Sequence, residues 1–192
     1  MFDAFLTSTA VVALAEIGDK TQLLAIILAT RFRRPWPIVA GILAATLANH
    51  FLAALVGEQV ANLLEGTWFR YAVALSFIVM AGWTLIPDKI DDDAPSEARF
   101  GAFLTTLVAF FLVEMGDKTQ IATIALGARF HSVLAVMAGT TLGMMLANVP
   151  AVFLGEALIA RVRLSVVRLL AALLLFAVGL WVLLQTAGLI PG

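Results

Sequence analysis

Two almost identical heptapeptides, Glu16-Ile17-Gly18-Asp19-Lys20-Thr21-Gln22 and Glu114-Met115-Gly116-Asp117-Lys118-Thr119-Gln120, lie 98 residues apart, each inside a long apolar run. Three apolar runs belong to each copy. Because three is odd, a chain that crosses a bilayer with each run brings the second copy in from the opposite side. The two halves must then be antiparallel about an axis in the membrane plane. The repeat extends beyond the motif at the same offset: Arg31-Phe32 with Arg129-Phe130, Ala40-Gly41 with Ala138-Gly139, and Gly57-Glu58 with Gly155-Glu156. Leu47-Ala48-Asn49 matches Leu146-Ala147-Asn148 at an offset one residue longer, which pairs the two asparagines as expected equivalents.

Composition decides that these runs are membrane spans. The chain is 62% hydrophobic and 13% charged with a mean hydropathy of +1.02, outside the range of soluble domains. Runs long enough for a span fall at 5–30, 37–57, 69–86, 101–128, 132–158 and 167–186. The expected fold is an all-α integral membrane protein of six helices in two inverted three-helix repeats. Residues 1–86 form the first repeat, 87–99 a short acidic loop and 100–192 the second repeat. The first run, preceded by Met1-Phe2-Asp3-Ala4-Phe5 with no basic segment, is expected to be retained as a span and not cleaved. Lysine and arginine are concentrated in the odd loops (Arg31, Arg33, Arg34; Lys89, Arg99; Arg161, Arg163, Arg168), against Arg70 and Arg129 in the even ones. This bias predicts odd loops in the cytoplasm, both termini outside and, for a bacterial chain, residence in the plasma membrane.

A net charge of −1 without a basic tract gives no reason to expect nucleic acid, and the absence of cysteine removes thiolate chemistry. Six ionisable side chains at span depth would cost about 18 kcal/mol if unpaired, taking about 3 kcal/mol each. They must be paired, hydrated or bound. On a continuous helix Glu16, Asp19 and Lys20 share a face, as do Glu114, Asp117 and Lys118, while Gln22 lies off it. Gly18 and Gly116 permit close approach and local unwinding that frees carbonyl oxygens. Thr21, Thr119, Asn49, Asn148, Gln22 and Gln120 are possible supporting groups. Four carboxylates with neutral oxygens suit hard divalent cations such as calcium and manganese. With both lysines charged, four ionised carboxylates leave a formal −2, which one divalent ion or two protons would discharge; that is a proton–metal exchanger in outline. Each lysine is expected to pair with its own aspartate or to replace the departed ion.

Plainer readings apply to several residues. The motifs could be polar locks between helices, although four acids in one place repel in a low dielectric. Asn49 and Asn148 more often bond a neighbouring helix than an ion. Glu58 and Glu156 read as solvated helix ends, His50 as a satisfied packing histidine, and Gly41-x-x-x-Ala45 and Gly139-x-x-x-Gly143-x-x-x-Ala147 as close-crossing faces. Trp36, Trp68, Trp83 and Trp181 fall where an aromatic belt would, and Asp91-Asp92-Asp93 where a solvated connector would.

The pattern E-x-G-D-[KR]-[TS], present twice at matching depth, resembles the calcium/manganese cation:proton antiporter family that includes bacterial manganese exporters and a Golgi membrane protein needed for glycosylation. The resemblance covers the whole chain and both copies match without departure. It implies export of manganese, and of calcium as a further substrate, in exchange for protons. It assigns ion coordination to Glu16, Asp19, Glu114 and Asp117, with Lys20, Thr21, Lys118 and Thr119 as motif partners and no prosthetic group. The longer central loop of eukaryotic members is reduced here to 87–99. Expelling a divalent cation against an inside-negative potential costs about 4.6 kcal/mol per 100 mV, so coupling to proton entry is expected and a channel is not. Two alternatives carry the same residues differently: an exporter of a small organic cation or amino acid, and a metal-dependent membrane enzyme such as a lipid-phosphate phosphatase. The second lacks a phosphate-cradling glycine loop.

Overall fold

A computed structural model of the chain describes residues 1–64, 66–86, 101–155 and 164–190. Lys89, Asp91-Asp92-Asp93, Arg99, Glu156, Arg161 and Arg163, to which the sequence assigned loop, charge-bias or helix-end roles, lie outside the described residues, as do Glu65 and the whole 87–99 connector. The described residues form eight α-helices and no strand: α1 Phe2–Glu16, α2 Lys20–Phe32, α3 Pro35–Leu63, α4 Thr67–Thr84, α5 Ala102–Glu114, α6 Lys118–Phe130, α7 Val133–Leu154 and α8 Leu164–Thr186. Three of them, α3, α7 and α8, are long and apolar enough to cross a membrane. Large apolar side chains such as Leu43, Leu75, Val79, Leu112, Leu173 and Phe176 face outward, as does each of the four tryptophans. Such a surface is costly in water and suited to lipid.

The local unwinding expected at Gly18 and Gly116 is a full break, and both runs, 5–30 and 101–128, are interrupted inside the heptapeptide. Ile17 is extended (φ −67°, ψ 113°), Gly18 takes φ +84° and Asp19 is extended again (φ −83°, ψ 169°). Met115, Gly116 and Asp117 repeat this path at φ −64°, +80° and −78°. A positive φ is open to glycine at little steric cost, and no α-helix passes through it. The break is held by glutamine. Gln22 Oε1 accepts the Gly18 N–H at 2.9 Å, and Gln120 Oε1 accepts the Gly116 N–H at 2.6 Å. Gln22 Nε2 also donates to Ala147 O of α7 at 2.9 Å, so the amide expected to lie off the polar face ties the break to a neighbouring helix.

The second halves of these runs also end alike. Arg33 and His131 adopt left-handed φ of 51° and 47° and return their N–H groups to Ala29 O and Gly127 O. Pro35 then opens α3, where its missing N–H is no loss.

Packing is reciprocal. Helix α5 lies on α3 and α1 on α7; α6 lies on α3 and α2 on α7; α3 meets α7 and α4 meets α8. Equivalent glycines, Gly41 and Gly139, make close crossings. A Cβ at Gly41 would meet Phe103 O and Thr106 Cβ at 2.8 Å, and one at Gly139 would collide with Phe5 O and meet Ser8 Cβ at 3.0 Å. Phe5 and Ser8 stand 98 residues before Phe103 and Thr106. Two apolar clusters fill the interior. Val11, Phe77, Leu126, Val136 and Leu175 belong to one, and Leu28, Ile38, Ile42 and Phe110 to the other.

Since the obstacle at Gly139 is backbone, Gly139→Ala should lower the melting temperature in detergent by several degrees, an overpacking cost of about 1–3 kcal/mol. Gly82, also helical but with open space around it, serves as control. Gly82→Ala should leave stability unchanged or raise it by up to about 1 kcal/mol. Equal effects at the two positions would contradict the crossing described.

Candidate metal centre

The two breaks place the same four groups at the same points of two half-length helices. Glu16 is the last residue of α1 and Asp19 caps α2; Glu114 is the last residue of α5 and Asp117 caps α6. All four are buried, the glutamates completely. Neither aspartate uses its carboxylate to cap its own helix, although each sits at the positive end of a helix dipole. Glu16 O and Glu114 O accept the Asp19 and Asp117 N–H groups at 3.1 and 3.2 Å, and the negative ends of two half-helices lie beside the acids.

Glu16 Oε2 accepts from Thr21 Oγ1 at 2.6 Å, while its Oε1 is buried without a hydrogen-bond partner. Glu114 repeats this more loosely. Its Oε2 is 3.3 Å from Thr119 Oγ1, which is equally distant from Asp117 Oδ2, and its Oε1 has no hydrogen-bond partner. A buried carboxylate oxygen without a donor is expensive to keep in a low dielectric. It is aimed where a cation or a proton would be welcome.

The halves meet at these side chains. One oxygen each from Glu16, Asp19 and Asp117 lie within 4.8 Å of one another. For a hard cation with oxygens at about 2.3–2.6 Å, ligands on opposite sides of the ion are about 4.6–5.2 Å apart. The trio is therefore at single-ion spacing. Glu114 is not part of it. Lys20 Nζ forms an ion pair with Asp117 Oδ1 at 2.8 Å, across the repeats, which corrects the expectation that each lysine pairs with the aspartate of its own motif. Lys118 Nζ donates to Ile86 O at 3.0 Å and lies 5.9 Å from the centre of the Trp83 ring.

The remaining residues singled out from sequence divide clearly. Asn49 Nδ2 donates to Phe111 O of α5 at 3.0 Å, an inter-helix lock. Asn148 turns its amide onto its own helix, with Nδ2 at 3.1 Å from Met144 O and 2.9 Å from Met144 Sδ, and leaves a buried Oδ1 without a hydrogen bond. The oxygens of Gln22 and Gln120 are taken by backbone N–H groups. Glu58 is half-buried within α3 and not at its solvated end. His50 is fully buried, but neither ring nitrogen has a hydrogen-bond partner, so it is not the satisfied packing histidine expected.

A narrow cleft reaches the centre, lined by Glu16, Gly18, Asp19 and Asp117 together with Thr84 and Arg168. Sequence reasoning missed the last two. Arg168 had been counted only as a loop charge, although it stands inside the apolar run 167–186, where a charge is itself a signal. Thr84 carries no signal of its own.

Residues 4–92 and 102–189 match the family described as divalent cation/proton antiporter GDT1. A Vibrio cholerae protein named "Putative manganese exporter" is 49% identical over 181 residues, covering 94% of this chain and 87% of the relative. A GDT1-like protein of Synechocystis is 31% identical over 205 residues, covering 94% and 98%. GDT1-like protein 5 of Arabidopsis thaliana is 29% identical over 224 residues, covering 96% of each. No solved structure matches. The family match takes in both heptapeptides and nearly all of the apolar helices, and the chain belongs to the GDT1 family of divalent cation/proton antiporters, which are membrane transporters and not enzymes.

Proposed function

We propose that this chain exports manganese, and calcium as a second substrate, from the cytoplasm in exchange for protons. Glu16, Asp19 and Asp117 bind the ion and Glu114 completes the set. The observation that carries this reading is the convergence of carboxylate oxygens from both motifs within 4.8 Å. An all-oxygen set in a chain without cysteine selects hard cations. The name of the Vibrio relative supports manganese. The cleft offers about 20 Å³, room for one water-sized body and too little for an amino acid, which disfavours the organic-solute alternative.

In the proposed architecture the chain crosses the membrane six times, as two inverted repeats of residues 1–86 and 100–192 about the connector 87–99. The pairs α1–α2 and α5–α6 each serve as one broken span. Reciprocal packing at Gly41 and Gly139 and the identical break geometry support it. The charge bias puts both termini outside, so the cleft, which includes Thr84 and Arg168 near the third and fifth loops, faces the cytoplasm.

Exchange follows from competition. Lys20 holds Asp117 in the ion-free site. An arriving divalent cation displaces that ammonium and takes the open oxygen of Glu16. Protons entering from the other side neutralise the carboxylates, weaken their hold and release the ion. Proton entry along the membrane potential supplies the roughly 4.6 kcal/mol per 100 mV that export requires.

In proteoliposomes with an imposed pH gradient, manganese flux should follow the gradient, and Glu16→Gln and Asp117→Asn should each reduce it at least a hundredfold. Absence of manganese and calcium flux in folded protein would overturn the assignment. If metal and proton share carboxylates, apparent manganese affinity at equal pH on both sides should fall on acidification, approaching tenfold per pH unit for each proton exchanged. Glu16→Gln should reduce that slope by one proton, and an unchanged slope would remove Glu16 from the coupling. Lys20→Met should tighten manganese binding severalfold while slowing turnover, because no tethered cation remains to replace the ion.

A further inference from the structure

At the other end of the bundle, about 16 Å along α6 from Lys118, a cavity of about 480 Å³ opens between the end of α3, the start of α4 and the last turns of α6 and α8. Its polar side carries Arg70, Arg129, His131 and Gln185; Val73 and Val182 form the floor. Among the described residues lining it there is no acid; Glu65, between two of them in sequence, lies outside the described residues. Both guanidinium-bearing side chains line the same cavity. Arg129 is half-buried and oriented by Gln185, whose Oε1 accepts from Nη2 at 2.5 Å. Arg70 stands on the first turn of α4, whose N-terminus has no side-chain cap and presents backbone N–H groups beside Gly66 and Thr67. Two like charges, a helix N-terminus and a histidine converging on one cavity form the constellation that binds phosphate groups.

A second cavity, of about 560 Å³, shares Arg129, Val182 and Gln185 with the first and continues along α8 past Phe130, Val178 and Trp181, with Asp3 and Thr7 on its α1 side. Helix α8 is the most apolar of the spans and the least covered by protein, with 28% of its window buried. A polar basic chamber therefore opens directly into an apolar groove on a lipid-facing helix. A free phosphate would fill only the first; a phospholipid fills both.

We propose that these joined cavities hold an anionic phospholipid, its phosphate between Arg70 and Arg129 and an acyl chain in the groove along α8. No part of this rests on the transport reading, since neither cavity contains a motif residue.

The test is native mass spectrometry of the whole chain released from detergent, with phosphatidylglycerol or phosphatidylcholine added. The wild type should retain phosphatidylglycerol at least tenfold more than phosphatidylcholine, and Arg70→Gln/Arg129→Gln should lose that preference. Millimolar inorganic phosphate should leave the bound lipid in place. Should the double variant not fold, Arg70→Gln alone, at an exposed position, should still reduce the preference severalfold. Undiminished retention by a folded variant, or displacement by inorganic phosphate, would overturn the proposal, the second by making it a small-anion site.

Discussion

Everything in this fold depends on interrupting two helices where interruption is most expensive. Inside a membrane every backbone polar group must be satisfied within the protein, so a broken span survives only if its freed groups find partners. The chain meets that demand locally. Glycine at φ +84° and +80° makes the turn, and a glutamine four residues on accepts the exposed glycine N–H. The carbonyls at the end of the first half-helix are left beside four acids, where negative potential is useful to a cation site and useless to stability. An unbroken helix would be more stable and would present Glu16 and Asp19 on a cylinder. The break lets the glutamate end one helix while the aspartate begins the next, and so brings acids from both repeats into one place.

Much of this was legible in the sequence because duplication is an arithmetic signal. The offset of 98 residues identified equivalent positions, and the polar residues at Arg31–Pro35 and Arg129–His131 marked real helix ends. The motif's chemistry was readable for the same reason: acids have few tolerable states in an apolar run. The glycines marked where the helices could unwind, but that they break fully there was not legible, since Gly18 and Gly116 are also compatible with a helix and only the partners on Gln22 and Gln120 decide against it. Nor was the Lys20–Asp117 pair, because local spacing favours residues one turn apart and says nothing about which repeat faces which. The charge of Arg168 inside the last run was the one available hint of a further lining residue.

The repeats agree in backbone more closely than in side-chain bonding. Thr21 reaches Glu16 at 2.6 Å, whereas Thr119 lies 3.3 Å from both Glu114 and Asp117. Asn49 bridges to α5, whereas Asn148 folds onto α7. His50 stands beside Asn49 where Val149 follows Asn148. On the inverted-repeat reading proposed above, two identical halves would give a site with equal affinity for both faces of the membrane, whichever half was leading. Divergence of hydrogen bonds around a shared backbone is a way to make the two orientations unequal without altering the path of the chain.

That inequality bears on how a carboxylate cluster can both bind and release an ion. Four buried acids repel, and the repulsion must be offset in every state of a working cycle. In the structure as it stands Lys20 supplies one compensating charge through Asp117, while Oε1 of Glu16 and of Glu114 remain without hydrogen bonds. On the reading proposed above, a metal ion and protons are the two other ways of supplying that charge. Because all three draw on the same oxygens, none can be fully satisfied while another is. A site with enough neutral donors for its acids would hold its ion and stop. The shortage of partners, which counts against stability, is what would keep metal, proton and lysine exchanging.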